Sequence, residues 1–450
     1  MDRDLEKRAL EYHAQGKGGK IEVVPSKPFG SVNDLSLAYT PGVAAPVAEI
    51  YKERWKAYRY TNKGNLVAVI SNGSALLGKG NTGALASKPV MEGKAMLFKI
   101  FADIDAFDIE LNDEDPEKII ATVSSLSPTF GGINLEDIKA PECFHIEEKL
   151  QAMLDIPVMH DDQHGTATIV SAALLNACEI AGKEFEKVKV VICGAGAAGI
   201  SVARMLAYMN LKKENIVMVD SKGVINGQRD DIGIEKSEFA TSHTYTTLSQ
   251  AMTNADVFIG VSKGNILKAQ DIEVMNEKPI IFALANPTPE IDYRTALTTR
   301  PDAILATGRT DLPNQINNSL AFPYLFRGAL DTLATKINME MLTAAAKAIA
   351  GIAKQPVLAK VQELYGYGME FGPGYILPKM NDPRLLTEVS SAVARAAMES
   401  GVARRGIASF KEYRDTLASR VESGNFFSGE IIRHRHNSKK HRNGNECFDK

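Results

Sequence analysis

The chain has 450 residues, 44% of them hydrophobic and 24% charged, with a formal net charge of −3. That is the composition of an ordinary globular protein of two or three domains, with enough core to need no disulfide staples. Charge near balance, four cysteines without CxxC or zinc-like spacing, and no apolar run near ~20 residues set aside nucleic acid, structural zinc and a membrane span as first explanations.

Residues 1–20 mix acids and bases and lack the apolar stretch of a signal peptide, so a cytoplasmic location is expected. Residues 1–60 read as short helices and turns, among them Tyr39-Thr40-Pro41-Gly42. The apolar, β-branched run 66–71 predicts a strand, followed by a glycine-rich stretch over 72–83. Residues 89–101 have apolar positions at mixed helical spacing, and Pro89 is expected at the first turn. Strands are expected at 107–111, 132–135 and 157–160, with helices over 117–126 and 141–154 between them. Such β/α alternation is the pattern of a parallel sheet.

Residues 166–181, almost wholly apolar or small, predict a buried connecting helix. A second series follows, with strands at 188–193, 216–219, 257–261, 280–285 and 304–306 and a helix over 197–209. Five short apolar runs separated by helices or loops predict a doubly wound sheet. Residues 327–420 read as mainly helical. From Arg433 the chain holds six Lys/Arg and two Asp/Glu, a local charge of 6 − 2 = +4. His434, His436 and His441 lie in that stretch, which reads as a solvated end.

Between the first strand and helix of this second series stands Gly194-Ala195-Gly196-Ala197-Ala198-Gly199. The first glycine permits a tight turn, the second lets the backbone approach a pyrophosphate, and the third lets helix and strand pack closely. Phosphates then meet the free N–H groups of a helix N-terminus. Asp220 ends the next strand, where an acid bonds the adenosine ribose hydroxyls. Ser221 and Lys222 follow and could receive a 2′-phosphate instead, so NAD and NADP both stay open. Cys193 in a strand and Cys178 on an apolar helix read as small hydrophobes.

Two acidic pairs, Glu136-Asp137 and Asp161-Asp162, end predicted strands. Hard cations such as Mg²⁺ and Mn²⁺ prefer carboxylate oxygens. Adjacent strand residues point to opposite faces, so a pair shares one ion only if the chain turns there. Lys94 lies on an otherwise apolar helix, where it must snorkel, pair or work. As a base it would have to be neutral, and a nearby metal with partial desolvation would push its pKa down. Asn286 follows the strand at 280–285, on the edge where α/β sheets bind ligands, and Asn318 lies in an asparagine-rich turn.

Together these motifs resemble the malic enzymes, in their shorter bacterial-type form without a C-terminal phosphotransacetylase-type domain. The segments that carry the resemblance are 39–44 (YTPGVA), 89–95 (PVMEGKA), 134–138 (NLEDI), 160–167 (HDDQHGTA), 285–290 (ANPTPE) and 313–323. It runs from about residue 10 to about 415. By matching position it implies Tyr39 as general acid, Lys94 as general base and Asp161 as the lysine's carboxylate partner. Glu136, Asp137 and Asp162 match the metal ligands, and Asn286 and Asn318 the substrate and cofactor amides. Lys79, between Gly78 and Gly80, departs from the aliphatic residue expected there. The implied organisation is an α/β N-terminal catalytic domain over 1–162, a Rossmann-type NAD(P)-binding domain with C-terminal helices over 163–420, and a basic tail over 421–450. The implied activity is metal-dependent oxidative decarboxylation of malate to pyruvate by a homodimer. The alternatives are another two-domain dehydrogenase or a non-catalytic nucleotide-sensing homologue.

Overall fold

The computed structural model describes residues 3–16, 18–27, 29–76, 80–366 and 368–424. Lys79, Cys447 and the histidines of the basic tail lie outside them. Two parallel sheets organise the chain. In the first, β1 (Leu66–Ser71) pairs with β2 (Asp105–Glu110) and β3 (Gly132–Leu135), and β4 (Val158–His160) adds to β3, giving the order β2-β1-β3-β4. The second holds β5 (Val190–Cys193), β6 (Ile216–Asp220), β7 (Gly223–Val224), β8 (Val257–Gly260), β9 (Ile280–Ala283) and β10 (Ile304–Thr307). Its order is β10-β9-β8-β5-β6-β7, parallel except for β7. Parallel strands covered on both faces read as continuous apolar runs, and β1 and β5 are buried at every position. The strand order reverses at β5, between β6 and β8, which opens a ligand crevice at their C-terminal ends.

Two helices bring the first sheet's chemistry together. The helix α1 (Ala84–Ala102) starts five residues before the expected Pro89, which sits inside it. Proline removes the bond to the carbonyl of Leu85, and Leu85 is exposed, so water can replace that partner. The helix α2 (Asp161–Ala181) likewise starts earlier than the expected 166. Asp161 and Asp162 therefore lie in a helical first turn, where the macrodipole favours negative charge. The core links Val67 and Val69 of β1 to Val190 and Ile192 of β5 through Ile169, Val170 and Leu174 of α2. Further helices are α3 (Ala197–Tyr208), α4 (Phe322–Asp331), α5 (Met339–Ala353), α6 (Ser390–Glu399) and α7 (Phe410–Gly424). The short helices before β1, by contrast, bury no residue. Cys143, Cys178 and Cys193 are buried free thiols, and burial pushes Cys178 up to about 12 and Cys193 to about 11. Among the described residues no helix is long and apolar enough to cross a membrane.

Candidate active site

Met91, Lys94, Ala95 and Phe98 share the buried face of α1, because they recur at helical spacing. That spacing aims Lys94 at the C-terminal ends of β3 and β4. Its ammonium lies 2.6 Å from Asp161 Oδ2, 3.0 Å from Glu136 Oε1 and 4.2 Å from the centre of the Phe322 ring. Asn318 Nδ2 donates to the same Asp161 oxygen at 2.5 Å, and Asn134 Nδ2 donates to Glu136 Oε2 at 2.9 Å. Asp137 has φ 51°, so the chain turns there and both members of the first acidic pair stay at the sheet end. The Asp137 N–H donates to Asp162 Oδ2 at 2.8 Å. Lys94, Glu136, Asp137, Asp161, Asp162 and Asn318 thus form one cluster.

The cluster sets four carboxylates against one lysine. Burial pushes Glu136 well above the usual carboxylate range, Asp161 upward and Asp137 up to about 8. Burial also pulls on Lys94, but Asp161 and Glu136 outweigh it and hold the lysine protonated above its ordinary value. The downward shift expected beside a bound metal concerns a different charge balance, in which the carboxylates are engaged by the ion. Asp161 Oδ1 is buried without a hydrogen-bond partner. A surplus of hard oxygen donors with one of them unsatisfied suits a hard divalent cation. The donors are not gathered into a cage: among the described residues no three His, Cys, Asp or Glu side chains form a group able to hold a metal ion. Glu136 is turned towards Lys94 and Asn134, and Asp162 towards the Asp137 amide.

Two expected site residues stand apart from this cluster. Tyr39 ends the helix Val32–Ala38, is 68% exposed, and its hydroxyl has no hydrogen-bond partner among the described residues. Asn286 follows β9 and sits against Gly308 beyond β10, on the ligand edge of the second sheet.

The glycine-rich turn leaves β5 at the point where strand order reverses. Gly194 has φ +119°, and a Cβ on Gly199 would fall 1.8 Å from the Gly194 carbonyl oxygen, so helix and strand need glycine to approach this closely. Ala195 and Gly196 complete the turn, and α3 begins at Ala197-Ala198 with no side-chain cap. Its first N–H groups are left for an anion. Ser201 of α3 donates to Gln163 of α2 at 3.3 Å, which puts the turn beside the Asp161-Asp162 end of the cluster.

Residues 18–151 match the family model "Malic enzyme, N-terminal domain", and residues 163–399 match "Malic enzyme, NAD binding domain". The chain belongs to the malic enzyme family. It is 52% identical over 435 residues to the NADP-dependent malic enzyme of Escherichia coli, covering 96% of this chain and 57% of that protein. It therefore spans little more than half the length of that relative. The NADP-dependent malic enzyme of Halomonas elongata is 52% identical over 398 residues, covering 88% of this chain and 94% of that one. The crystal structure of the Pyrococcus horikoshii malic enzyme superposes with a TM-score of 0.88 at 41% identity, covering 96% of this chain and all of that one.

Within this malic enzyme fold, several polar residues that sequence reasoning missed hold the site. Asp220 is met by Arg229 through two bonds of 2.8 and 3.1 Å and by Lys236 at 2.8 Å. Burial opposes ionisation of Asp220, but these cations hold its carboxyl down at about 2. Lys222 pairs instead with Asp231 at 2.6 Å. Glu147, buried on the helix Glu142–Met153, accepts the His160 N–H at 2.8 Å and faces His164 at 3.0 Å, which fastens the β4–α2 junction. Glu290, fully buried, accepts the N–H groups of Ser262 and Ala285 and ties the ends of β8 and β9 together. An acid at an otherwise buried helical position was the available signal for Glu147.

Proposed function

We propose that this chain oxidises and decarboxylates malate to pyruvate and carbon dioxide while reducing NADP, with Mg²⁺ or Mn²⁺ as resident metal. The observation that carries this reading is a buried lysine bonded to two of four clustered carboxylates, beside a dinucleotide turn. Residues 1–162 would supply the metal and substrate side and residues 163–420 the cofactor side, with Asn286 and Asn318 as its amides. Asn318 already bonds the carboxylate that partners Lys94. Glu136, Asp137 and Asp162 would hold the metal once Glu136 and Asp162 turn from their present partners. A bound divalent cation supplies Lewis acidity to the oxygen on C2. Glu136, once engaged by such an ion, would hold Lys94 less strongly, which would bring the lysine nearer to deprotonation at neutral pH. Lys94 takes the hydroxyl proton as C2 gives its hydride to the nicotinamide. Carbon dioxide then leaves from the oxidised substrate. Tyr39 protonates C3 and yields pyruvate.

NADP is favoured over NAD because Asp220 is already neutralised by Arg229 and Lys236, so it does not repel a 2′-phosphate as a bare carboxylate would. The exposed Tyr39 supports a homodimer in which each site borrows this residue from the other copy. Among the described residues of 23–55 none is buried, yet they carry Val32 at 82% exposure, Leu37, Val47 and Tyr51 at 90%, an apolar face that suits a partner. The test is malate-dependent NADP reduction with and without Mn²⁺, on the wild type and Lys94→Ala. Metal-dependent turnover that Lys94→Ala abolishes supports the reading, with oxaloacetate decarboxylation less affected than malate oxidation. No turnover in the wild type, or full turnover in Lys94→Ala, refutes it and leaves a nucleotide-sensing role.

A further inference from the structure

We propose that a cavity on the opposite side of the first sheet binds a small multivalent oxyanion. The segment 58–65 before β1, the C-terminal half of α4, and Arg405 and Arg420 enclose about 380 Å³, the size of a small-ligand pocket. The β1 strand separates this cavity from the Lys94 cluster. Six residues of strand span roughly 20 Å, so the cavity is not a subsite for malate.

Its charges are unbalanced. Arg327 is buried in the wall and donates to both oxygens of Asp331 and to Asn65 Oδ1. Tyr413 also donates to Asp331 at 2.7 Å, so this carboxylate is committed. Among the described residues, Arg405 reaches only the backbone carbonyl of Asp331, and Arg404 only the carbonyl of Leu333 and Tyr58. Lys63 donates to three carbonyls, those of Ser127, Pro128 and Phe130. Lys99 and Arg420 share Asp103, and Lys99 also meets Asp105. The cavity itself is lined by three guanidinium groups, those of Arg327, Arg405 and Arg420, and by one carboxylate, that of Asp331. Burial first, and then the nearby Arg404, pull Lys63 down to about 8. Guanidinium groups converging on an open volume match the flat, paired oxygens of phosphate or carboxylate.

Isothermal titration of the full chain with inorganic phosphate, and separately with citrate, tests the assignment and tells a phosphate site from a polycarboxylate site. Saturating NADP is present throughout, to keep either anion off the glycine-rich turn. Two variants report on the cavity. Arg405→Gln removes one cation, and Asn62→Glu adds an acid at an exposed rim position without touching the core. The expected result is one site per chain for at least one anion, weakened about ten-fold or more by each substitution, with turnover on malate unchanged. The proposal is overturned if neither anion binds, or if Asn62→Glu binds both as the wild type does.

Discussion

Gly165→Ala puts the geometry of the cluster to its hardest test. An added Cβ would stand 1.8 Å from Asp161 Oδ1. Ordinary contact begins near 3.4 Å, so the carboxylate has to retreat by about 3.4 − 1.8 = 1.6 Å. Its bond to Lys94 is 2.6 Å and would stretch beyond hydrogen-bond range. Breaking a buried ion pair costs about 3–5 kcal/mol when one charge is left unmatched. Glu136 still faces Lys94, which keeps the cost towards the lower end. Alanine in place of helical glycine returns about 1 kcal/mol. The net expectation is a loss of roughly 2–3 kcal/mol of stability. Displacing a reacting group's partner by more than 1 Å costs on the order of 100-fold in turnover. Urea denaturation gives the first quantity and malate-dependent NADP reduction the second. Wild-type stability together with wild-type turnover would show that Asp161 is not held against Gly165, and the reasoning about the Lys94 pair would fail with it.

Arg229→Gln leaves Asp220 with Lys236 as its one remaining cation and removes a guanidinium, so KM for NADP is expected to rise roughly ten- to hundred-fold while that for NAD changes little; equal changes for both cofactors would separate Arg229 from the 2′-phosphate. Tyr39→Phe and Lys94→Ala should each be nearly inactive alone, and after subunit exchange an equal mixture should regain about a quarter of wild-type turnover, because half the dimers then carry one intact site. No recovery would place both residues on one chain. Asp162→Ala should raise the Mn²⁺ concentration needed for half-activation by roughly ten-fold or more, and an unchanged metal requirement would remove Asp162 from the ligand set. Burial lowers the His164 pKa, but Glu147 outweighs it and raises the value above 6.5. The pair's contribution is therefore full below 6.5 and lost as pH rises through that higher value. Melting temperature should fall on going from pH about 6 to about 9, and His164→Gln should flatten the fall; an equal slope in the variant would contradict it.

Local pattern was enough to read the strands other than β7, and the dinucleotide turn. The runs 66–71 and 132–135 are bounded as read, because a buried parallel strand needs an unbroken apolar stretch and nothing else in its neighbourhood has one. The Gly194–Gly199 turn was legible for the same reason, since its demands on backbone shape fall within six consecutive residues. Helix starts were less legible. Asp161-Asp162-Gln163-His164-Gly165 is a poor helical opening by propensity, and it is held by Glu147 from another helix. The two-residue β7 carries no periodicity at all and exists only as a partner of β6.

The residue types of the site were readable, but their electrical state was not. The pKa of Lys94 depends on carboxylates 42 and 67 positions away, and whether burial or attraction wins is decided by distances of 2.6 and 3.0 Å that only packing sets. Asp220 is recognisable by its place after a strand, yet its neutralisation comes from Arg229 and Lys236, which fold back from a loop and a short helix with no motif of their own. Tyr39 is the sharpest case. Its segment names a role, while its 68% exposure away from the Lys94 cluster is set by how the short helices before β1 pack, which the segment does not encode. Backbone shape is a local property and is written locally; charge state is a sum over neighbours that tertiary contacts choose.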